Sequence, residues 1–182
     1  MFLNLYVYIC IKNINYKNGL KKVKKLIFIG MGFEYTDKKL AAGIIPICKD
    51  TRRILLCRRG YEGSFPGQWG LFGGTFEEVD RIPKETAKRE FYEETKYDKN
   101  YSISSSPIDT NTNNFLTYYT YVGLFDCEFE PYVNGCDEHS KENVDYGWFD
   151  LDHLPNGMVK YLEDTFERNN KLLKRIIKKC GK

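Results

Sequence analysis

The segment of residues 73–98 constrains the fold of this chain most strongly, because it predicts one well-defined helix that carries several carboxylates. Pro83 suits the first turn of a helix, where the N–H group that proline lacks would have no partner. Glu90, Glu93 and Glu94 follow at positions i, i+3 and i+4, which a helix places on one face. Carboxylates at this spacing repel each other by about 0.2–0.5 kcal/mol per pair. A hard divalent cation such as magnesium or manganese, which prefers oxygen ligands, would offset that repulsion.

The same segment predicts how this helix packs. Ala87, Phe91 and Thr95 recur at intervals of four residues, which is typical of the stripe that a helix turns towards the core. The glutamates lie partly to one side of this stripe, towards a cleft or solvent. We therefore predict a helix over Pro83–Thr95 with one apolar face and one acidic face.

The rest of the chain alternates predicted strands with loops and a final helix. Two apolar runs are separated by a turn-like spacer and predict a hairpin, and a loop rich in Gly and Pro follows them. This alternation agrees with an α/β fold but does not by itself identify one. The predicted strands cover residues 40–49, 53–58, 115–129 and 144–149, the loop covers 60–68, a short apolar segment covers 69–72, and an amphipathic helix with basic residues covers 162–177.

Charge is spread unevenly along the chain. The net charge is +3, and residues 1–30 contain six Lys and no acid, so the remainder carries +3 − 6 = −3. A weakly acidic domain does not resemble a generic DNA-binding protein, which has a basic stripe. We predict that residues 35–182 form a single domain and that residues 1–34 are a Lys-rich extension, either disordered or upstream of a true start at Met31. The alternatives for the extension are a membrane-surface or nucleic-acid contact through its lysines, and an extra element docked on the domain.

The first residues and the cysteines indicate a cytoplasmic protein. The apolar run of residues 1–11 is much shorter than the roughly 20 residues of a membrane-spanning helix, and its lysines follow it, unlike those of a signal peptide. We therefore expect no membrane span. The cysteines form no C-x-x-C pair, and we expect reduced thiols. They lie at positions 10, 48, 57, 127, 136 and 180.

The acidic segment resembles the signature of the Nudix hydrolase family, G-x5-E-x7-R-E-U-x-E-E-x-G-U, in which U is a bulky apolar residue. Gly74, Arg89, Glu90, Glu93 and Glu94 carry the resemblance. Three further segments resemble family elements in the same order: residues 41–59 resemble the first strands, 68–74 the entry to the box, and 142–155 the late E…WF-x-L-D-E-L-P element.

The chain departs from the signature in three places. The interval from Gly74 to Arg89 is one residue longer than the signature allows, so either Asp80 or Arg81 stands where the loop Glu belongs. In the family that acid helps to hold the loop, often by pairing with the box Arg. Lys96 replaces the Gly that ends the box helix, where Gly would adopt the left-handed conformation easily.

The resemblance implies an α/β/α sandwich with a mixed, curved β-sheet, and metal-dependent hydrolysis of a nucleoside diphosphate linked to another moiety X. By the same resemblance, Glu90, Glu93, Glu94 and the Gly73 carbonyl bind Mg²⁺ or Mn²⁺. The general base is Glu90 or Glu142; for Glu142 the alternative is an ordinary surface loop. Arg89 orients the loop and a neighbouring carboxylate. Arg58 or Arg59 contacts phosphate, because a guanidinium fork matches its oxygens.

The resemblance leaves the substrate open. Nucleotide sugars, dinucleotides, oxidised nucleoside triphosphates and capped RNA all contain the required bond, and the acidic charge after residue 30 disfavours an RNA cap. The alternative function is a non-catalytic module that binds a nucleotide as a sensor. The oligomeric state is also open, with a homodimer as one alternative.

Overall fold

A mixed β-sheet between two helices forms the centre of the fold. In the residues described by this computed structural model, 38–133 and 142–180, eight strands form one sheet and two long helices accompany it. The strands are β1 (Lys39–Cys48), β2 (Ile54–Arg59), β3 (Trp69–Gly70), β4 (Phe72–Thr75), β5 (Ser102–Ile103), β6 (Asp109–Thr112), β7 (Leu116–Phe125) and β8 (Asn143–Phe149), and the helices are α1 (Pro83–Thr95) and α2 (Lys160–Lys179).

Strand β1 is the spine of the sheet. It pairs in parallel with β7 along its whole length and antiparallel with β4 and β2 on its other edge. Its near-continuous apolar sequence suits a strand that is buried on both faces. Around this spine, β2 also pairs antiparallel with β3 and β8, and β7 pairs antiparallel with β5 and β6. The predicted mixed sheet is confirmed.

The two helices cover opposite faces of the sheet. Successive side chains of a strand point to opposite faces, and alternate residues of β1 belong to two separate apolar clusters. Ile45 and Ile47 pack in one cluster with Leu162 of α2, whereas Ile44 packs in the other with Phe91 of α1. This three-layer arrangement confirms the predicted α/β/α sandwich.

Helix α1 has the predicted bounds, Pro83–Thr95, with Pro83 in its first turn. Ala87, Phe91 and Thr95 are buried, as their spacing predicts. The helix ends at Lys96, which adopts the left-handed conformation at φ 55° and ψ 21°, and its N–H donates to the Tyr92 carbonyl at 2.8 Å. Lysine thus adopts the conformation that glycine adopts at lower cost.

Other elements differ from the sequence prediction in their bounds. The predicted hairpin is β1 and β2, joined by a turn in which Arg52 has a φ of 63°. The strand predicted over residues 115–129 is too long, because β7 ends at Phe125. Beyond it, Glu128 turns aside to form an ion pair with Arg53 at 2.6 Å, and Phe129 packs against the α1 cluster. The short strands β5 and β6 were not predicted, because two to four residues are too few to show a period.

The cysteines within the described ranges are free, as predicted. Cys48 and Cys57 are buried, Cys127 is exposed and Cys180 is half-buried. Cys10, Cys136 and the predicted extension of residues 1–34 lie outside the described residues. Neither helix in the described ranges has the length and apolar character needed to cross a membrane.

Candidate active site

Two glycines allow β4 to lie directly against α1. The Gly73 N–H donates to Oε2 of Glu94 at 2.7 Å, which ties the strand to the helix. A Cβ at Gly74 would lie 2.5 Å from Cδ of Glu90, and a Cβ at Gly73 would lie 2.5 Å from the Ala42 carbonyl oxygen. The position of Gly73 therefore requires glycine because its neighbour is backbone, whereas a Cβ at Gly74 would displace the Glu90 carboxyl group. As a result, the carboxylates of α1 and the backbone of β4 form one continuous surface.

Arg89 joins the loop before α1 to the carboxylates of the helix. Its Nη1 lies 2.9 Å from Oε2 of Glu93, 3.0 Å from Oε1 of Glu90 and 3.6 Å from Oε1 of Glu77. Its Nη2 donates to the Thr75 carbonyl at 2.9 Å. One guanidinium group thus holds the end of β4, the following loop and two of the predicted ligands together.

Asp80, and not Arg81, takes the place of the loop acid. Its two carboxylate oxygens accept hydrogen bonds from Nε and Nη2 of Arg89 at 3.2 and 2.9 Å, and Oδ2 also accepts one from the Glu77 N–H at 3.0 Å. Burial acts to raise the pKa of Asp80, but these hydrogen bonds outweigh it and lower that pKa. Arg81 instead pairs with Glu85 at the surface. The one-residue insertion therefore leaves the contact between the loop acid and the box Arg in place.

Glu94 is a buried carboxyl group with polar partners on two sides. Only 1% of the residue is exposed, and its Oε1 accepts a hydrogen bond from Nδ2 of Asn143 at 3.0 Å. The second oxygen binds the Gly73 N–H. Asn143, at the start of β8, is itself buried and was missed by the sequence analysis. The one signal for it was a polar residue at the edge of a predicted strand, beside Glu142.

The electrostatics of the site reveal carboxylates that act on one another. Burial raises the pKa of Glu94 to about 8; the charge of Arg59 opposes the shift, and the carboxylates of Glu142 and Glu90 add to it. Burial also raises the pKa of Glu90, against the opposing charge of Arg89. Glu142 is half-exposed, and its Oε2 lies 3.7 Å from Nη2 of Arg59. The structure thus brings three of the four predicted acidic residues, Glu90 and Glu94 of α1 and Glu142 just before β8, into one electrostatic neighbourhood.

A cavity of about 590 Å³ opens beside this neighbourhood. Arg59 lines it, and Nε of Arg59 donates to the Ser64 carbonyl at 2.9 Å. Arg58 is exposed, does not line the cavity, and donates to the Gly67 carbonyl. The sequence analysis predicted Arg59 but missed Lys39 and the aromatic residues of the lining, because distant segments supply them. The lining includes Gly73, Gly74 and Thr75 of β4, together with Lys39, Phe65, Phe115, Tyr118 and Tyr161.

The donor set suits a hard cation, although the ligands are not assembled around one point. Within the described ranges, no three His, Cys, Asp or Glu side chains are arranged to hold a metal ion. Glu93 is turned to Arg89, and Glu94 is turned to Gly73 and Asn143. The neighbouring carboxylate oxygens are nevertheless the ligand type that magnesium and manganese prefer, and their mutual repulsion favours a cation between them.

Comparison with known proteins agrees with this geometry. A family model described as the NUDIX domain matches residues 37–173. One curated relative, the nucleoside triphosphatase NudI of Klebsiella pneumoniae (strain 342), is 42% identical over 52 residues. That match covers 28% of this chain and 36% of the relative, so it spans about a third of that protein's length.

Solved structures share the fold at low sequence identity. An Ap4A hydrolase binary complex from C. elegans has a TM-score of 0.58 at 16% identity, with 74% of this chain and 98% of that chain covered. The NUDIX domain of Shewanella oneidensis NrtR, complexed with ADP ribose, has a TM-score of 0.55 at 19% identity, with 74% and 88% covered. The family resemblance and the fold predicted from the sequence are both confirmed. The chain belongs to the NUDIX domain family.

Proposed function

We propose that this protein is a metal-dependent hydrolase that cleaves a pyrophosphate bond in a nucleoside diphosphate linked to another moiety X. The observation that carries the proposal is the group of interacting carboxylates of Glu90, Glu94 and Glu142, which lies beside the Gly73–Gly74 backbone and a cavity lined by Arg59. The carboxylates suit a metal ion, and the positively charged side chain of Arg59 suits phosphate. Together they match the charge of a metal-bound pyrophosphate substrate.

Glu90, Glu93, Glu94 and the Gly73 carbonyl would hold Mg²⁺ or Mn²⁺. A divalent ion there would neutralise phosphate charge and orient the phosphates. Glu93 would exchange its contact with Arg89 for the ion, and Arg89 would keep its two hydrogen bonds to Asp80. Arg89 therefore acts as a positioning residue for the loop and for Glu93.

The remaining residues divide into a base and a phosphate contact. Glu90 or Glu142 would accept the proton of the attacking water, since a carboxylate within reach of that water is a competent general base. The raised pKa of Glu90 favours it for this role, whereas Glu142 is half-exposed and pairs with Arg59, which lines the cavity. Arg59, which lines the cavity, would contact phosphate; Arg58 is the weaker candidate because it lies outside the lining.

The named relatives point to nucleotide substrates. NudI is named a nucleoside triphosphatase, one structural neighbour is an Ap4A hydrolase, and another was solved with ADP ribose. A nucleoside triphosphate, Ap4A and ADP ribose all contain a phosphoanhydride bond next to a nucleoside. This shared feature supports the same class of substrate here.

The test is hydrolysis of a nucleotide panel with Mg²⁺, followed by chromatography of the products. We expect turnover by the native chain and a loss of at least about a hundredfold in Glu93→Gln and Glu94→Gln, because each substitution removes a charged ligand. Glu167→Gln, on the exposed surface of α2, is the matched control and should leave turnover unchanged. Turnover that survives both α1 substitutions would refute the site. Nucleotide binding with no turnover of any panel member would favour the sensor alternative.

A further inference from the structure

We propose that Phe65 and Phe115 form a clamp, here called the aromatic clamp, that stacks on the base of the substrate nucleotide. The two rings come from separate turns, and both line the cavity beside Gly73 and Gly74. The inference rests on the proposed function and deepens it, because it gives the nucleobase of the substrate a binding contact of its own.

Phe115 is an exposed ring on a fixed backbone. Its residue is 80% exposed, although a large apolar side chain gains stability from burial. Its own N–H and that of Leu116 donate to Oδ1 of Asn113 at 2.8 and 2.9 Å, and its carbonyl accepts a hydrogen bond from the Lys39 N–H at 2.9 Å. The backbone that carries the ring is therefore fixed at the cavity, and the ring lies outside the core, where it is free to contact a ligand.

Phe65 combines exposure with an unfavourable backbone conformation. Its φ is 58°, a region that residues with a Cβ rarely adopt, and it is 46% exposed. Its ring meets that of Tyr161 edge to face at a centroid distance of 6.2 Å. The turn is anchored by hydrogen bonds from Nε of Arg59 to the Ser64 carbonyl and from the Gly67 N–H to the Arg59 carbonyl. Neither burial nor backbone preference accounts for a phenylalanine here, whereas a ligand contact does.

The rest of the lining supplies the complement to a nucleotide's phosphates. Lys39 and Arg59 bring positive charge to the cavity. Gly73 and Gly74 also line the cavity and lie against the carboxylates of α1. A volume of about 590 Å³ falls within the range of small-molecule sites. Aromatic rings stack on bases whatever the base identity, so the clamp selects for a nucleobase and not for one particular base. Substrates whose groups are entirely aliphatic would lack this contact.

The test compares a ligand that has a ring with one that has none. Binding of ADP and of inorganic pyrophosphate, each with Mg²⁺, is measured by calorimetry on the full chain. For Phe115→Ala we expect the Kd of ADP to rise about tenfold, the size of one lost stacking contact, with that of pyrophosphate changed less than about twofold. Phe115→Tyr keeps the ring and should bind ADP like the native chain. Tyr132→Ala removes an exposed aromatic residue outside the cavity lining and should change neither Kd.

A second variant covers the other ring. Phe65→Asn removes the ring and keeps a residue type that tolerates positive φ, so we expect weaker ADP binding with an unchanged Tm. Equal weakening of ADP and pyrophosphate binding, or no change for either ligand, in both Phe115→Ala and Phe65→Asn would overturn the clamp. If the same variants lost ribose 5-phosphate binding as much as ADP binding, the rings would contact the sugar and not the base. That result would also overturn the clamp.

The failure of the clamp and the failure of the proposed hydrolysis give different results. With a substrate that is turned over, we expect Phe115→Ala to raise KM and leave kcat unchanged, because a stacked base contributes equally to binding before and during the reaction. Ring-dependent ADP binding without hydrolysis of any nucleotide would support the clamp and refute the hydrolase. Hydrolysis of a nucleotide, with ADP binding that does not depend on the two rings, would support the hydrolase and refute the clamp.

Discussion

At the scale of single residues, Asp80 and Arg89 form the contact on which the acidic loop depends. The Asp80 side chain is 3% exposed and that of Arg89 is 17% exposed, so their ion pair is largely removed from water. Removing Asp80 takes two charge-assisted hydrogen bonds from Arg89, which keeps Glu90 and Glu93 as partners, and such a loss costs about 2 kcal/mol. The sequence left Asp80 and Arg81 as alternatives, because the position of an inserted residue depends on which side chain reaches a partner across the loop.

We therefore expect Asp80→Ala to lower the free energy of unfolding by about 2 kcal/mol, measured by urea denaturation. Arg81→Ala is the neighbouring control: its ion pair with Glu85 lies at the surface, where such pairs contribute little. Equal losses for the two variants would show that Asp80 has no special role.

The pH dependence of stability tests the direction of the pKa shift of Asp80. The folded-state pKa of Asp80 is lowered, so its contribution is fully present above its unfolded pKa of about 4 and is lost as the pH falls through the folded value. The stability difference between the native chain and Asp80→Asn should thus be constant near neutral pH and shrink below about pH 4. A difference that grew on acidification would contradict the lowered pKa.

At the scale of elements, α1 is well predicted, and Lys96, the residue that caps its C-terminal end, is strained. Pro83 and the four-residue apolar spacing fix the start and the face of the helix, because both are local signals. The cap is different: the sequence shows only that Gly is missing, and the left-handed Lys96 depends on how the chain leaves the helix towards the sheet. The end of β7 was mispredicted for a related reason, since residues 126–129 keep a strand-like composition while their side chains turn to Arg53 and the core.

Lys96→Gly should stabilise the protein by about 1 kcal/mol, because glycine adopts positive φ without a Cβ penalty. The expected rise in Tm is about 2–4 °C. The matched control makes the same substitution inside the helix: Lys88→Gly, at an exposed position, should cost about 1 kcal/mol. Destabilisation of similar size at both positions would mean that the strain at Lys96 is offset by contacts of its side chain.

At the scale of the whole molecule, the site is made where distant segments meet. Strand β4, helix α1, the start of β8 and the turns beside β2 and β7 each contribute part of it. Sequence motifs predicted Glu90, Glu93, Glu94 and Glu142, because a family signature has set residue types at fixed spacings. Asn143 and the aromatic clamp belong to no such signature. They come to lie at the site only when the sheet brings together segments that are far apart in the chain.

The central claim is that the carboxylates of α1 hold a divalent cation. Titration of the protein with Mn²⁺, followed by electron paramagnetic resonance of the free ion, tests it most directly. We expect the native chain and Glu167→Gln to bind Mn²⁺ with equal affinity at sub-millimolar concentration, and Glu94→Gln to bind it at least about tenfold more weakly. No binding by the native chain at millimolar Mn²⁺, or the same affinity in Glu94→Gln, would contradict the account.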